Sequence, residues 1–159
     1  MAITRTDIVV RGLIYQDGKY LLMRRPKFKG GGYGLPGGHV EKNETPVEAL
    51  LRECYEELGI KLNAQSLHMV RMIYREKDAT RKIHLVFKVN DWAGIPANKE
   101  PAKCKGIAWF ARHELPLDLS PTSYLTLHPD AEGGIYREDF DKANRAQHKN
   151  KWPWQSELS

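Results

Sequence analysis

Residues 38–60 read GHVEKNETPVEALLRECYEELGI, and this stretch decides the fold and most of the chemistry. Residues three or four apart on a helix share a face, so Glu53, Glu56 and Glu57 project together, with Arg52 among them. Three carboxylates on one surface repel each other unless something positive sits between them. A hard divalent cation such as Mg2+ suits them, because it takes oxygen ligands and bridges protein carboxylates to phosphates. The pattern therefore points to metal-dependent attack on a phosphate chain. The plain alternative is a solvated acidic helix face. Such a face needs no Gly37-Gly38 before it, no Gly59 after it and no arginine in its middle.

The helix is expected from Thr45 to Leu58. Pro46 falls in the first turn, where a missing N–H costs nothing, and Gly59 closes the helix as a left-handed cap. Val47, Leu50, Leu51, Cys54, Tyr55 and Leu58 recur at helical spacing and define the buried face. The carboxylates lie off that stripe. Upstream, Ile8 to Tyr15 and Tyr20 to Arg25 read as strands joined at Asp17-Gly18, a strong hairpin signal. Pro26 stops the second strand, the glycine-rich segment from Lys27 to Tyr33 reads as a mobile loop, and residues 35–38 form a tight turn into the helix. Glycine at 37 and 38 lets backbone carbonyls approach a metal or phosphate. Downstream, Ser66 to Tyr74, Lys82 to Val89 and Ile107 to Phe110 read as strands, and Thr122 to Leu127 as part of a second helix.

Residues 38–60 also resemble, position for position, the signature of the Nudix hydrolases, with MutT-like enzymes as the nearest pattern. Gly38, Glu44, Arg52, Glu53, Glu56, Glu57, Gly59 and Ile60 all match; Cys54 stands where an aliphatic residue is usual, and a buried Cys behaves as a small hydrophobe. Flanking segments extend the resemblance from about residue 5 to residue 128. It implies an α/β fold, the Nudix α/β/α sandwich with a mixed sheet. It further implies that Glu53, Glu56 and Glu57 hold Mg2+, or Mn2+ in its place, with a Gly37 or Gly38 carbonyl assisting. Glu44 and Gly59 support the motif. Arg52 is expected to orient a catalytic carboxylate, against the alternative of an ordinary surface pair with Glu56. Glu100, in the loop before Trp109-Phe110, is the candidate for a further metal ligand or the general base, shared with Glu53. Arg25 is placed on the substrate phosphates. Trp109 is a candidate for stacking on a base, although core packing is the favoured reading for Trp109 and Phe110.

The implied activity is pyrophosphohydrolysis of a nucleoside diphosphate-linked substrate, foremost a nucleoside or deoxynucleoside triphosphate giving the monophosphate and pyrophosphate. Nucleotide sugars, dinucleoside polyphosphates and capped RNA are the alternatives within the class. A non-catalytic nucleotide- or nucleic-acid-binding regulator is the alternative outside it; such proteins usually lose a motif carboxylate, and here all are present.

Composition sets outer limits. At 159 residues the chain holds one domain, and no apolar run is long enough for a membrane span. Two cysteines, Cys54 and Cys104, make no disulfide framework, and the N-terminus lacks a signal peptide's apolar segment, so a cytoplasmic protein is expected. The formal net charge of +5 suits a polyanionic substrate. No histidine has zinc-site spacing, and His39, His68 and His84 read as structural. Residues 129–159 form a basic extension carrying Ile135, Tyr136, Phe140, Trp152 and Trp154, expected to dock on residues 1–128 or at a dimer contact; monomer and homodimer both stay open. A nucleic-acid platform using Arg145, His148, Lys149 and Lys151 is the less favoured reading.

Overall fold

The computed structural model describes residues 2–128 and 134–140. Strand β1 (Arg5–Gln16) is the spine of an eight-stranded mixed sheet. One edge of β1 pairs in parallel with β7 (Thr80–Val89), from Arg5↔Thr80 to Ile14↔Val89. Its other edge is divided. Val9, Val10 and Arg11 pair antiparallel with β4 (Gly37–His39), and only Tyr15 and Gln16 pair with β2 (Lys19–Arg24). The expected hairpin forms, with Asp17 and Gly18 both at positive φ.

Beyond β7 lies β6 (His68–Lys77), antiparallel to it, and beyond β2 lie β3 (Tyr33–Gly34) and β9 (Gly106–Ala111). Residues 136–140, outside every strand expected from the sequence, form β10 (Tyr136–Phe140) in parallel with β6. Short strands β5 (Lys61–Leu62) and β8 (Trp92–Ala93) pair separately. Trp152, Trp154 and the basic residues 145–151 lie outside the described residues.

Both sheet faces are apolar, as strand alternation with helices on each side requires. Val10, Ile14, Leu21 and Met23 face helix α1 (Pro46–Leu58), meeting its Ala49, Leu50, Cys54 and Leu58. Leu13, Leu22, Ile73 and Val86 pack on the opposite side with Leu127 of helix α2 (Pro121–Leu127). This is the α/β/α sandwich anticipated from the sequence. Tyr55 corrects one detail: expected on the buried stripe, it is exposed, because it stands more than a quarter-turn from Cys54 and Leu50, at the margin of the apolar face. A second correction concerns residues 35–38. They are not a bare turn, since Gly37 and Gly38 enter β4 and are pinned to Arg11 and Val10.

Helix α1 starts where its local chemistry dictates. The Thr45 hydroxyl accepts from the Glu48 N–H at 3.2 Å and the Glu48 carboxylate accepts from the Thr45 N–H at 2.7 Å, a capping box worth about 1 kcal/mol. Gly59 ends it at φ 71. Among the described residues no helix is long and apolar enough to cross a membrane.

Candidate active site

The carboxylates of α1 face β4 across a gap that only glycine leaves open. A Cβ on Gly38 would stand 2.3–2.9 Å from the three carboxyl atoms of Glu53, and one on Gly37 would strike the Val10 carbonyl oxygen at 2.0 Å. Gly37 also adopts φ 142, a conformation side chains resist. The paired glycines thus bring the backbone against the acidic face. The Gly37 N–H donates to Glu57 Oε1 at 2.9 Å.

Arg52 organises this wall. Its Nη2 and Nε donate to the two oxygens of Glu44 at 2.7 and 3.1 Å, its Nη1 reaches Glu53 Oε1 at 2.9 Å and Glu56 Oε2 at 3.3 Å, and Nη2 also meets the His39 carbonyl at 3.1 Å. Two parallel bonds to one carboxylate fix a guanidinium plane. Glu44 in turn accepts from the Glu41 N–H at 2.8 Å. The Glu44 bond raises the Arg52 pKa above its ordinary value, and the Arg52 bond holds the Glu44 carboxyl below its own. Arg52 is therefore no loose surface pair with Glu56; it ties Glu44, Glu53 and Glu56 into one network.

Burial, together with the Glu53 charge, pushes the Glu57 carboxyl well above the usual carboxylate range, against the opposing pull of the Gly37 N–H and of Arg11. Two acids crowded this way gain most from a cation between them. The donor set is all oxygen, which fits Mg2+ or Mn2+. As the side chains stand, no three acidic, His or Cys groups among the described residues converge as metal ligands. Arg52 accounts for that, since it holds one oxygen each of Glu53 and Glu56. Glu56 is the more open of the two, with 49% of its side chain exposed against 17% for Glu53.

The wall borders a cavity of about 660 Å³. Glu100 lines it too, with its Oε2 on Lys103 Nζ at 2.9 Å. Arg25 lines it opposite, its guanidinium donating to the Lys29 carbonyl beside Gly30. Glu53, Glu56, Glu57, Arg52, Glu100, Arg25, Gly37 and Gly38 are thus gathered at one cavity from segments distant in sequence.

Comparison with known proteins agrees with this geometry. Residues 5–128 match the NUDIX domain family. The chain belongs to the MutT-like Nudix hydrolases. It is accordingly an enzyme of the class that hydrolyses phosphoric anhydrides. It is 30% identical over 135 residues to nucleoside triphosphatase NudI of Enterobacter sp. (strain 638), covering 77% of this chain and 94% of that protein. It is 37% identical over 112 residues to phosphatase NudJ of Escherichia coli (strain K12), covering 70% of this chain and 72% of NudJ. The crystal structure of a MutT NUDIX hydrolase from Burkholderia pseudomallei superposes with a TM-score of 0.69 at 31% identity, covering 77% of this chain and 95% of that one.

Trp109 is the exception among the expected Nudix site residues. It is half-buried on β9, packs into the α1-side core and stacks on Trp92 with ring centroids 6.5 Å apart. The structure does not bring it to the cavity. Phe110 packs edge-on against Tyr33 on the other face, so core packing, the favoured reading for the pair, is what both show. Conversely, Arg11, Arg75, Lys82, His84 and Thr122 line the cavity and were missed. A signal for Arg11 existed: it shares strand parity with Val9 and Leu13, both buried, so a charge there points inward. His84 likewise shares parity with buried Val86.

Proposed function

We propose that this enzyme is a Mg2+-dependent pyrophosphohydrolase that converts a nucleoside or deoxynucleoside triphosphate to the monophosphate and pyrophosphate. The observation that carries the reading is one cavity lined by both charges, the carboxylates of Glu53, Glu56 and Glu57 together with the cations Arg11, Arg25 and Lys82. Its volume of about 660 Å³ is that of a small-molecule site. Kinship with a protein named nucleoside triphosphatase supports the same substrate class.

In this reading Glu53, Glu56 and Glu57 hold the metal, with a Gly37 or Gly38 carbonyl assisting. A bound Mg2+ supplies charge neutralisation on phosphate oxygens and lowers the pKa of an attacking water. Arg25 binds the phosphates, and Arg52 keeps Glu53 aligned. We assign the general-base step to Glu53 over Glu100. Glu53 has one oxygen on Arg52 and lies in the Gly38 cradle, whereas Glu100 is engaged by Lys103 in its loop. Glu53 takes the water's proton as the water oxygen bonds to phosphorus and the anhydride oxygen leaves. Cys54 and Cys104 are free buried thiols, which suits a cytoplasmic enzyme. In this scheme residues 136–140 belong to a docked part of the C-terminal extension, and the parallel pairing of β10 on β6 supports that.

Incubation of the purified chain with a panel of nucleoside triphosphates and Mg2+, followed by separate assays of pyrophosphate and orthophosphate, tests the reading. Stoichiometric monophosphate and pyrophosphate are expected. Release of orthophosphate alone, or turnover only of nucleotide sugars, overturns it.

A further inference from the structure

Beyond the carboxylates, the cavity floor is assembled from three strands. Arg11 stands on β1, Arg75 on β6, and Lys82 and His84 on β7, with Thr122 of α2 beside them. Pairing sets these residues side by side. Arg75 is the partner of Lys82 across β6 and β7, and His84 is the partner of Ile73 on one side and Val9 on the other. Lys82 and His84, two residues apart on one strand, project to one face.

The floor begins beside the acidic wall at Arg11, which acts on Glu57, and runs away from it. The strand order β4, β1, β7, β6 places Lys82 and Arg75 two and three strand spacings from Gly38, roughly 10 and 14 Å at about 4.8 Å per strand. One phosphate cannot touch both. A nucleoside spans such a gap.

His84 supplies the observation that asks for a ligand. It is 3% exposed and lines the cavity, yet its Nε2 has no hydrogen-bond partner among the described residues. Its Nδ1 faces the Thr122 hydroxyl at 3.5 Å. Buried polar atoms are almost always satisfied, and one left bare costs about 1–3 kcal/mol. Its neighbours are cations with bonding capacity to spare. Asp139 of β10 accepts from Arg75 Nε at 2.7 Å, and no described residue accepts from the two Nη groups. Lys82 makes no hydrogen bond or ion pair with a described residue; the acid beside it on β1, Asp7, is bound to Arg5 at 2.8 Å. Among the described residues the Arg11 guanidinium donates only to the Leu35 carbonyl, at 3.3 Å. Burial, reinforced by Arg11, Arg75 and Lys82, keeps His84 neutral, with its pKa pulled down to about 3.

We propose that Arg75, Lys82 and His84, joined to the acidic wall through Arg11, form a subsite for a second phosphoryl or phosphodiester group, carried by the part of the substrate beyond the diphosphate that is cleaved. With the Thr122 hydroxyl donating to Nδ1, His84 Nε2 carries the proton and donates to a phosphoryl oxygen. Lys82 and the Arg75 Nη groups complete the anion's shell, and Asp139 holds the Arg75 plane. The inference rests on the phosphoanhydride reading of the carboxylate wall. It narrows that reading to a nucleoside triphosphate that carries a further phosphoryl or phosphodiester group on its ribose, away from the anhydride.

The test separates the two readings by removing metal and turnover. Inorganic phosphate is titrated into the full-length protein in EDTA, and the imidazole nitrogen resonances of His84, assigned with His84→Gln, are followed by NMR. A saturable His84 shift is expected, weakened about tenfold or more in Lys82→Gln and restored in Lys82→Arg, the scale of one charge-assisted contact. The backbone spectrum of the same samples reports folding. No shift in the wild type, or a shift indifferent to Lys82→Gln in a folded sample, overturns the subsite even if nucleoside triphosphates are hydrolysed. A saturable, Lys82-dependent shift in a protein that hydrolyses no triphosphate leaves the subsite standing and removes the reading of the wall.

Discussion

The acidic wall and the basic floor of the cavity carry opposite charge and reach neutrality in opposite ways. On the wall, Arg52 compensates Glu44, Glu53 and Glu56 within one helix and its entry loop, leaving Glu57 crowded against Glu53 and its carboxyl raised. On the floor, Arg11, Arg75, Lys82 and His84 come from three strands and meet one described carboxylate at hydrogen-bond distance, that of Asp139. The wall is short of positive charge and the floor is short of negative charge. A divalent cation and a polyanion together satisfy both, so each region is stable alone only at an electrostatic cost that the other's ligand relieves.

The largest effect should come from taking the cation away. Excess EDTA is expected to abolish turnover of nucleoside triphosphates, with Mg2+ or Mn2+ restoring it and Ca2+ restoring less, as judged by released pyrophosphate. Full turnover in EDTA would mean that the wall needs no metal. Next in size, Glu56→Gln and Glu57→Gln should each lower kcat by on the order of 10²-fold or more, the scale of one lost electrostatic catalytic group. Circular dichroism should show both folded, because neither side chain belongs to the apolar stripe of Ala49, Leu50, Cys54 and Leu58. A wild-type rate in a folded variant removes that residue from the metal shell.

The contrast between wall and floor also explains what could be read from the sequence. Glu44, Arg52, Glu53, Glu56 and Glu57 fall within one helix and its entry loop, so helical periodicity alone brings the three α1 carboxylates onto one face. The layer architecture followed from strand and helix patterning in the same direct way. The floor is different. Arg75 and Lys82 become neighbours only through the β6–β7 register, and Arg11 joins them only because β1 pairs in parallel with β7. Parallel pairing has no local signature in the chain. Strand β10 was hidden for a related reason: it adds in parallel to an edge, so nothing in residues 136–140 names β6 as its partner. Trp109 was ambiguous because an aromatic in a strand fits a core or a stacking wall equally well, and its contact with Trp92 decides it.

His84 gives a pH signature to the floor. Its folded pKa of about 3 lies below its ordinary value of 6.5, so the unfolded chain gains a proton first as pH falls. The stability linked to the neutral ring is intact above pH 6.5 and declines between 6.5 and 3. At pH 5 the loss should reach about 2 kcal/mol, or roughly 4–8 °C in Tm. Differential scanning calorimetry of the wild type and His84→Gln at pH 7 and pH 5 measures it. The wild type should lose more Tm across that interval than the variant. Equal losses would show that the ring is solvated and that the floor is open to water.

The smallest effect on activity is expected at Trp109, and it tests whether the cavity has a third, aromatic wall. Trp109 stands on β9 with its ring over Trp92 in the α1-side core, and it is not among the residues that line the cavity. Replacing it by Leu removes core contacts and should lower stability by about 1–3 kcal/mol, the range for truncating a partly buried large side chain. The kinetic constants should stay within about twofold of wild type, because no substrate atom bound between wall and floor can touch the ring. A base stacked on this indole would contribute about 1–3 kcal/mol. Its loss would raise KM fivefold or more while leaving kcat in place. Steady-state kinetics on a folded Trp109→Leu sample therefore distinguish the outcomes cleanly: an unchanged KM leaves recognition to charge on two walls, and a raised KM shows that the nucleoside leaves the floor and leans toward β9.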